Sequence, residues 1–235
     1  MQAVILAGGL GTRLKPLTEQ IPKVMVQVNG KPFLLYLLEL IRSQGISDIV
    51  LCIGHLGKQV RDYFNDGESL GVRIRYSDEK ERLLGTGGAV KEAQPLLDDY
   101  FLVLNGDTYL PIDYREVERA FLRRGKKALM LVYYSQLDAI IRSNTAIDNS
   151  LMVIRHDKES HDLTLNYVDA GLLALKREAL DLIKEDCSIS LERGLYPALI
   201  QQRELAAYVI EQRFYSVGTW DEMKIFEEYL IQGAK

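Results

Sequence analysis

The chain has 235 residues, 47% of them hydrophobic, with 29 basic against 33 acidic residues and a formal net charge of −4. That length and apolar share suit one large α/β domain with a full core. The acidic balance speaks against a nucleic-acid surface, so any phosphate site must be local. Cys52 and Cys187 form neither a C-x-x-C pair nor a disulfide framework, which fits a reducing cytoplasm. The start shows no basic-then-apolar leader, and the most apolar run, residues 33–38, is too short to span a bilayer, so no membrane association is expected.

Strand and helix patterns alternate through the first half. Val4-Ile5-Leu6-Ala7 reads as a buried strand ending at Gly8. Residues 49–53, 72–76, 101–104 and 128–132 are apolar runs of strand length. Helical patterns fall between them at 33–44, 58–64, 89–97 and 114–124. Leu34, Leu37, Leu38 and Ile41 form a core-facing stripe at i, i+3, i+4, i+7. The alternation predicts right-handed βαβ units and a mostly parallel sheet covered on both faces, with ligands at the carboxyl ends of the strands. The second half is less regular: a hairpin over 145–155, a strand at 166–175, a short helix at 177–184, and a helix at 191–202 interrupted by Pro197. A strand at 206–210 follows. Thr219 and Glu222 then form a T-x-x-E capping box opening a last helix to about residue 231.

The densest chemistry lies in residues 6–23, LAGGLGTRLKPLTEQIPK. Gly8, Gly9 and Gly11 let backbone N–H groups approach a ligand with no Cβ in the way. Arg13 offers a planar fork of donors suited to phosphate, and Lys23, after Pro22, a compact point charge. This is not a P-loop, because no glycine precedes Lys-Ser or Lys-Thr. It is not a dinucleotide fingerprint either, because the third glycine of G-x-G-x-x-G would fall on Leu14. The bland alternative is a strand-to-loop turn with two solvated cations.

Gly85-Thr86-Gly87-Gly88-Ala89 leads into a helix whose free N–H groups can hold a base or ribose, and it reads equally as a glycine-rich helix start. Asp107, after a buried strand and Asn105-Gly106, can bind Mg²⁺ or close an Asx-turn. Asp157-Lys158 is a candidate anion contact or a solvated charge pair. His55, His156 and His161 lack metal-ligand spacing and read as surface histidines. The basic cluster from Arg119 to Lys127 reads as a solvated face at a helix end.

In order along the chain, G-G-x-G-T-R-L with Pro22-Lys23, GTGGA, N-G-D and Phe214-Tyr215-Ser216-Val217-Gly218-Thr219 resemble the sugar-1-phosphate nucleotidyltransferases. The stretches GKPFLLYLLELIRSQGI, GHLGKQVRDYFNDG and LGTGGA are most similar to the heptose-1-phosphate guanylyltransferases among them. The resemblance implies a Rossmann-like, three-layer α/β/α fold of the GT-A-like type, with a mixed, mostly parallel central sheet in one domain over 1–235. It implies an enzyme that transfers a nucleoside monophosphate from an NTP, here GTP, to a sugar 1-phosphate, here a heptose 1-phosphate, releasing pyrophosphate. Mg²⁺ would be the cofactor and the cytoplasm the location; homo-oligomerisation is left open.

The same resemblance implies roles for single residues. Arg13 and the loop of Leu6, Ala7, Gly8, Gly9, Gly11 and Thr12 would hold the NTP phosphates. Lys23 would neutralise charge where the two phosphates meet, and Asp107 would hold the metal. Gly85, Thr86, Gly87 and Gly88 would line the nucleobase pocket. Asn105, Lys158, Asp169 and Gly171 would meet the sugar phosphate. Glu79 or Glu81, just ahead of the second glycine loop, has the acceptors to read guanine N1–H and N2–H₂. Ser216 departs from the family, which usually has a second metal-binding Asp there. Two alternatives follow: one carboxylate suffices, or the chain is a weakened paralogue that binds nucleotide sugars. Mannose, glucose or N-acetylmuramate 1-phosphate with another base are further alternatives. A glycosyltransferase reading fails for want of D-x-D, since the third position after Asp148-Asn149 is Ser150.

Overall fold

A computed structural model of the chain describes residues 1–79, 82–134, 142–160, 162, 164–185 and 187–233. The first half supplies β1 (Gln2–Ala7), a short antiparallel pair β2 (Gln27–Val28) and β3 (Lys31–Pro32), α1 (Phe33–Ser43), β4 (Asp48–Ile53), α2 (Gly57–Phe64) and β5 (Arg73–Asp78). Then come α3 (Gly85–Glu92), β6 (Tyr100–Asn105), β7 (Thr108–Tyr109), α4 (Tyr114–Arg124) and β8 (Ala128–Tyr134). The second half adds β9 (Thr145–Ile147), β10 (Val153–His156), β11 (Tyr167–Lys176), α5 (Leu191–Gly194), α6 (Tyr196–Gln201), β12 (Leu205–Ile210), β13 (Tyr215–Ser216) and α7 (Trp220–Gly233).

The sheet runs β12-β8-β11-β6-β1-β4-β5, with β9 and β10 branching from the start of β11. Every neighbouring pair along this run is parallel except the two made by β11, which is antiparallel to both β6 and β8. This is the mixed, mostly parallel sheet expected from the sequence. Along β1 the side chains alternate: Ala3, Ile5 and Ala7 enter the core under α1, α2 and α4, while Val4 enters the one under α3, α5 and α6. Period-2 alternation into two apolar layers leaves no face for water, so β1 reads as a continuous apolar run. A third core joins Leu14, Phe33, Val217 and Phe226, clamping α7 against the loop after β1. Leu14 is fully buried there, roughly 1.5–3 kcal/mol of transfer free energy holding the turn that carries Arg13.

The short helix expected over 177–184 is a 3₁₀ helix, Arg177–Leu182, and three further elements differ from the expectation. The helix expected from residue 89 begins at Gly85 and ends at Glu92, and residues 94–96 form a separate 3₁₀ turn around Pro95. Pro95 has no N–H to donate to the Lys91 carbonyl and its ring crowds that oxygen, so the α-helix cannot run through it. The helix expected over 191–202 is two pieces divided at Leu195, with Pro197 in the first turn of the second, where its missing N–H costs nothing. At α7, Thr219 Oγ1 accepts from the Glu222 amide at 3.3 Å. The Glu222 carboxylate reaches further back than a capping box would, accepting from the Gly218 N–H and the Ser216 hydroxyl at 2.8 Å each.

Candidate active site

β1, β4, β5 and β6 end at one edge of the sheet, where their register sets Leu6 beside Cys52 and Asn105. A cavity of ≈330 Å³ opens there. Leu6, Gly8, Gly9 and Gly11 form one wall, Asn105, Gly106 and Asp107 another, and Lys23, Glu79, Gly85 and Thr86 close it; Lys158 and Glu192 reach in from the second half. Gly106 is there because its amide bonds the Leu6 carbonyl at 3.0 Å, and a Cβ would stand 2.4 Å from that oxygen. In the loop after β1, the amides of Gly8, Gly9 and Gly11 go to no backbone carbonyl among the described turns and loops. They stay available as donors.

Lys23 and Asp107 form an ion pair in this cavity, with side chains 13% and 29% exposed. Burial alone would raise the Asp107 pKa; the charge and hydrogen bond of Lys23, helped by the Thr108 hydroxyl, hold it below the usual carboxylate range instead. The group is therefore an anion at neutral pH. Ala7, Thr12 and Arg13 do not line the cavity. Arg13 is exposed on the 3₁₀ turn Thr12–Leu14 and points toward the last helix: a Cβ at Gly218 would meet Arg13 Nη2 at 2.7 Å and Glu222 Oε2 at 2.8 Å.

The second glycine run is used otherwise than its sequence suggests. Gly85 to Gly88 lie inside α3, and the amides of Gly87 and Gly88 both donate to the Ile189 carbonyl, at 2.9 and 3.0 Å. A Cβ at Gly87 would stand 3.0 Å from that oxygen, and one at Gly88 2.6 Å from the Cys187 carbonyl. These glycines admit the backbone of residues 187–190; only Gly85 and Thr86 of the four face the cavity. Thr86 Oγ1 accepts from the Leu191 amide at 2.9 Å. Glu79 enters the cavity with Oε2 accepting from the Leu84 N–H at 2.7 Å and Oε1 packed against Gly8. Burial raises its pKa, opposed by that hydrogen bond. Glu81 lies outside the described residues, as does His161.

Lys158 pairs with Glu192, a residue that carries no local signal in the sequence. Burial works against the Lys158 charge, but Glu192, Asp169 and Asp107 more than offset it and raise the Lys158 pKa. Burial likewise works against Glu192, and Lys158 overrides it, holding that carboxyl at about 2. Asp169 and Gly171 stand beside a smaller crevice rather than in the main cavity. Gly171 has φ +77° where β11 shifts register. Asp169 Oδ1 accepts its amide at 2.9 Å, and Oδ2 accepts from the Tyr196 hydroxyl at 3.4 Å. Asn144, also not singled out by sequence, fixes the Asp169 amide through its Oδ1 at 2.9 Å. Ser216 pairs across from Thr108, one residue from Asp107. Among the described residues, no three His, Cys, Asp or Glu side chains converge as a metal cage, and no helix is long and apolar enough to cross a membrane.

Comparison with known proteins gives a consistent set of relatives. Residues 2–225 match the sequence profile of the nucleotidyl transferase family. The D-glycero-alpha-D-manno-heptose 1-phosphate guanylyltransferase of Campylobacter jejuni is 40% identical over 159 residues, 68% of this chain and 69% of that protein. A mannose-1-phosphate guanylyltransferase of Mycobacterium tuberculosis is 30% identical over the whole chain, which spans 64% of that relative's length. HddC from Yersinia pseudotuberculosis superposes with a TM-score of 0.83 at 27% identity, covering 97% of this chain and 99% of that one. Its complex with GMP-PN gives 0.81 at 26% identity over the same shares. The chain belongs to the nucleotidyl transferase family.

Proposed function

We propose, from that membership, that the chain transfers GMP from GTP to a sugar 1-phosphate of the heptose class, releasing pyrophosphate, in the cytoplasm. The observation that carries the reading is the single cavity in which undonated glycine-loop amides, the Lys23–Asp107 pair and Lys158 meet. The 40% identity to a heptose 1-phosphate guanylyltransferase supports the choice of sugar and base. Glu79 supports guanine weakly, because one of its oxygens is already engaged by Leu84.

In this reading a sugar-phosphate oxygen attacks the α-phosphorus of GTP; the new O–P bond forms as the bond to the β-phosphate oxygen breaks. The nucleophile is already an anion, so no general base is required, and catalysis is orientation and charge neutralisation. The Gly8–Gly11 amides would hold the phosphate tail, and Lys23 would face the reacting phosphorus. Arg13, outside the cavity, would reach the outer phosphates by leaving the neighbourhood of Glu222. Asn105 and Lys158 would hold the sugar's phosphate.

Mg²⁺ fits these residues. Asp107 is kept ionised, and a hard ion that retains waters and bridges phosphate oxygens needs only one or two protein carboxylates. Asp107 would hold it together with the substrates' own oxygens, and the ion would supply neutralisation of phosphate charge. The test is pyrophosphate release across a matrix of GTP, UTP, CTP, ATP and dTTP with heptose, mannose, glucose and N-acetylmuramate 1-phosphates. GTP with heptose 1-phosphate should turn over best. Equal or better turnover with UTP would refute the base assignment, and silence across the matrix would favour a weakened paralogue.

A further inference from the structure

Thr18, in the 3₁₀ turn Leu17–Glu19, is only 2% exposed, so it meets no ligand itself. Its hydroxyl donates to the Gly11 carbonyl at 2.8 Å. A threonine that serves its own surroundings bonds a carbonyl three or four residues back. This bond reaches back seven, out of the turn and into the first glycine loop. The Leu14 amide donates to the same oxygen at 2.9 Å, so both lone pairs of the Gly11 carbonyl are used.

The bond sets a direction. In a planar trans peptide the C=O and the following N–H point to opposite sides. With the Gly11 carbonyl tied inward, the Thr12 N–H is turned the other way, and no backbone carbonyl among the described turns and loops accepts it. Gly11 itself is left-handed, at φ +61°. A Cβ there would stand 2.8 Å from Thr18 Cγ2 and 3.0 Å from Lys23 Cβ, so the Thr18 methyl and the Lys23 stem close on the same bare backbone. The turn is also braced from behind. Leu17 and Ile21 pack on the third core, and Gln59 of α2 donates through Nε2 to the Gln20 carbonyl at 2.8 Å. A braced side chain can hold a peptide in place.

We propose, resting on the nucleotide reading above, that Thr18 is a positioning residue for the phosphate-binding loop. Its hydroxyl holds the Gly11–Thr12 peptide with the N–H turned to the phosphate tail, at a fixed separation from Lys23 at the reacting phosphorus. Without the hydroxyl the Leu14 amide alone holds the carbonyl, and the peptide can tilt. A misplacement on the order of 1 Å can cost about 10²-fold in rate, because a tail held askew carries the α-phosphorus away from Lys23. The sugar 1-phosphate is not held through this contact.

Calorimetry with inorganic tripolyphosphate and Mg²⁺ reads the loop without base or sugar, and pyrophosphate release reads the chemistry. Thr18→Val keeps the shape and removes the hydroxyl. It should weaken tripolyphosphate binding and lower kcat with GTP by roughly tenfold each, with the sugar 1-phosphate KM unmoved. Thr18→Ala also lacks the hydroxyl and should follow Thr18→Val, whereas Thr18→Ser keeps it and should restore most of both quantities. A threonine that only fills space gives another order: Thr18→Val, nearest in volume, is then the mildest change, and Thr18→Ser and Thr18→Ala lose stability with kcat and tripolyphosphate affinity unmoved. That order, or wild-type tripolyphosphate affinity and kcat in Thr18→Val, overturns the proposal. If Thr18→Val does not fold, Thr18→Ala against Thr18→Ser decides the same question by the same two measurements. Preferred turnover of the wild type with another base would overturn the guanylyl assignment and leave the tripolyphosphate comparison in force.

Discussion

Residues 8–11 and residues 85–88 each pack three glycines into a short run after a strand, and the molecule uses the two runs in opposite ways. In the first, Gly8 and Gly11 close on the side chains of Glu79 and Thr18, but Gly9 has nothing within 4 Å of where a Cβ would stand, and the amides remain undonated. In the second, the amides of Gly87 and Gly88 converge on one carbonyl, and added side-chain atoms would collide with the 187–190 backbone. The first run leaves donors free for a guest. The second makes room for the chain itself, and through that segment it fixes Glu192 opposite Lys158. A glycine's absent side chain says that something comes close, without saying whether that something is ligand or protein.

The largest expected effect tests the first run's cavity. Lys23→Ala should lower kcat by roughly 10²–10³, the cost of one lost transition-state charge contact, with the fold retained; near-normal turnover would sink its assignment. Next comes the second run. Gly88→Ala must displace the Cys187 carbonyl, 2.6 Å from the new Cβ, and should cost about 1–3 kcal/mol in chemical denaturation, whereas Gly9→Ala should stay within about 0.5 kcal/mol. Equal stabilities for the two variants would erase the contrast.

Ser216→Asp probes the departure from the family, and here the neighbour matters. The new carboxylate would face Glu222, whose Oε2 lies 2.8 Å from the Ser216 hydroxyl. We expect the single variant to gain little metal affinity. Ser216→Asp with Glu222→Gln should lower the half-saturating Mg²⁺ concentration about tenfold, or about 1.4 kcal/mol. A larger gain in the single variant would show that Glu222 does not oppose it.

The smallest effect is in acid. Glu192 titrates at about 2 in the folded chain, below its ordinary value of 4.5. The stabilisation is therefore complete above pH 4.5 and is lost as pH falls toward 2. Because Lys158 is half exposed, the loss should be only about 1 kcal/mol, and Glu192→Gln should flatten that part of the stability profile. An unchanged acid slope would mean that the pair carries no net stability.

What could be read from the sequence was whatever depends on near neighbours. The apolar runs of β1, β4 and β6 announce a buried parallel sheet, and their shared ends announce where Gly8, Asn105 and Asp107 gather. The contacts that were not legible join distant segments: Gly88 with Cys187, Lys158 with Glu192, Ser216 with Glu222, Asp169 with Asn144 and Tyr196. No local period marks a carboxylate that will meet a lysine from another element. Glu192 looks like any acidic residue in a first helical turn. The register shift in β11 around Gly171 likewise depends on pairing with two strands at once.

The small β7–β13 pairing has a consequence for the timing of synthesis. Tyr215 and Ser216 zip onto Tyr109 and Thr108, the Val217 amide bonds the Asp107 carbonyl, and α7 seals Leu14 beneath the loop that carries Arg13. The first glycine loop is synthesised about 200 residues ahead of its clamp. At roughly 5–20 residues per second, the interval is on the order of 10–40 s. During that time the sheet can form while the phosphate loop lacks its floor. A nascent chain stalled before residue 215 should thus bury most of its apolar surface yet bind no nucleotide, and competence should arrive in one step with the last helix.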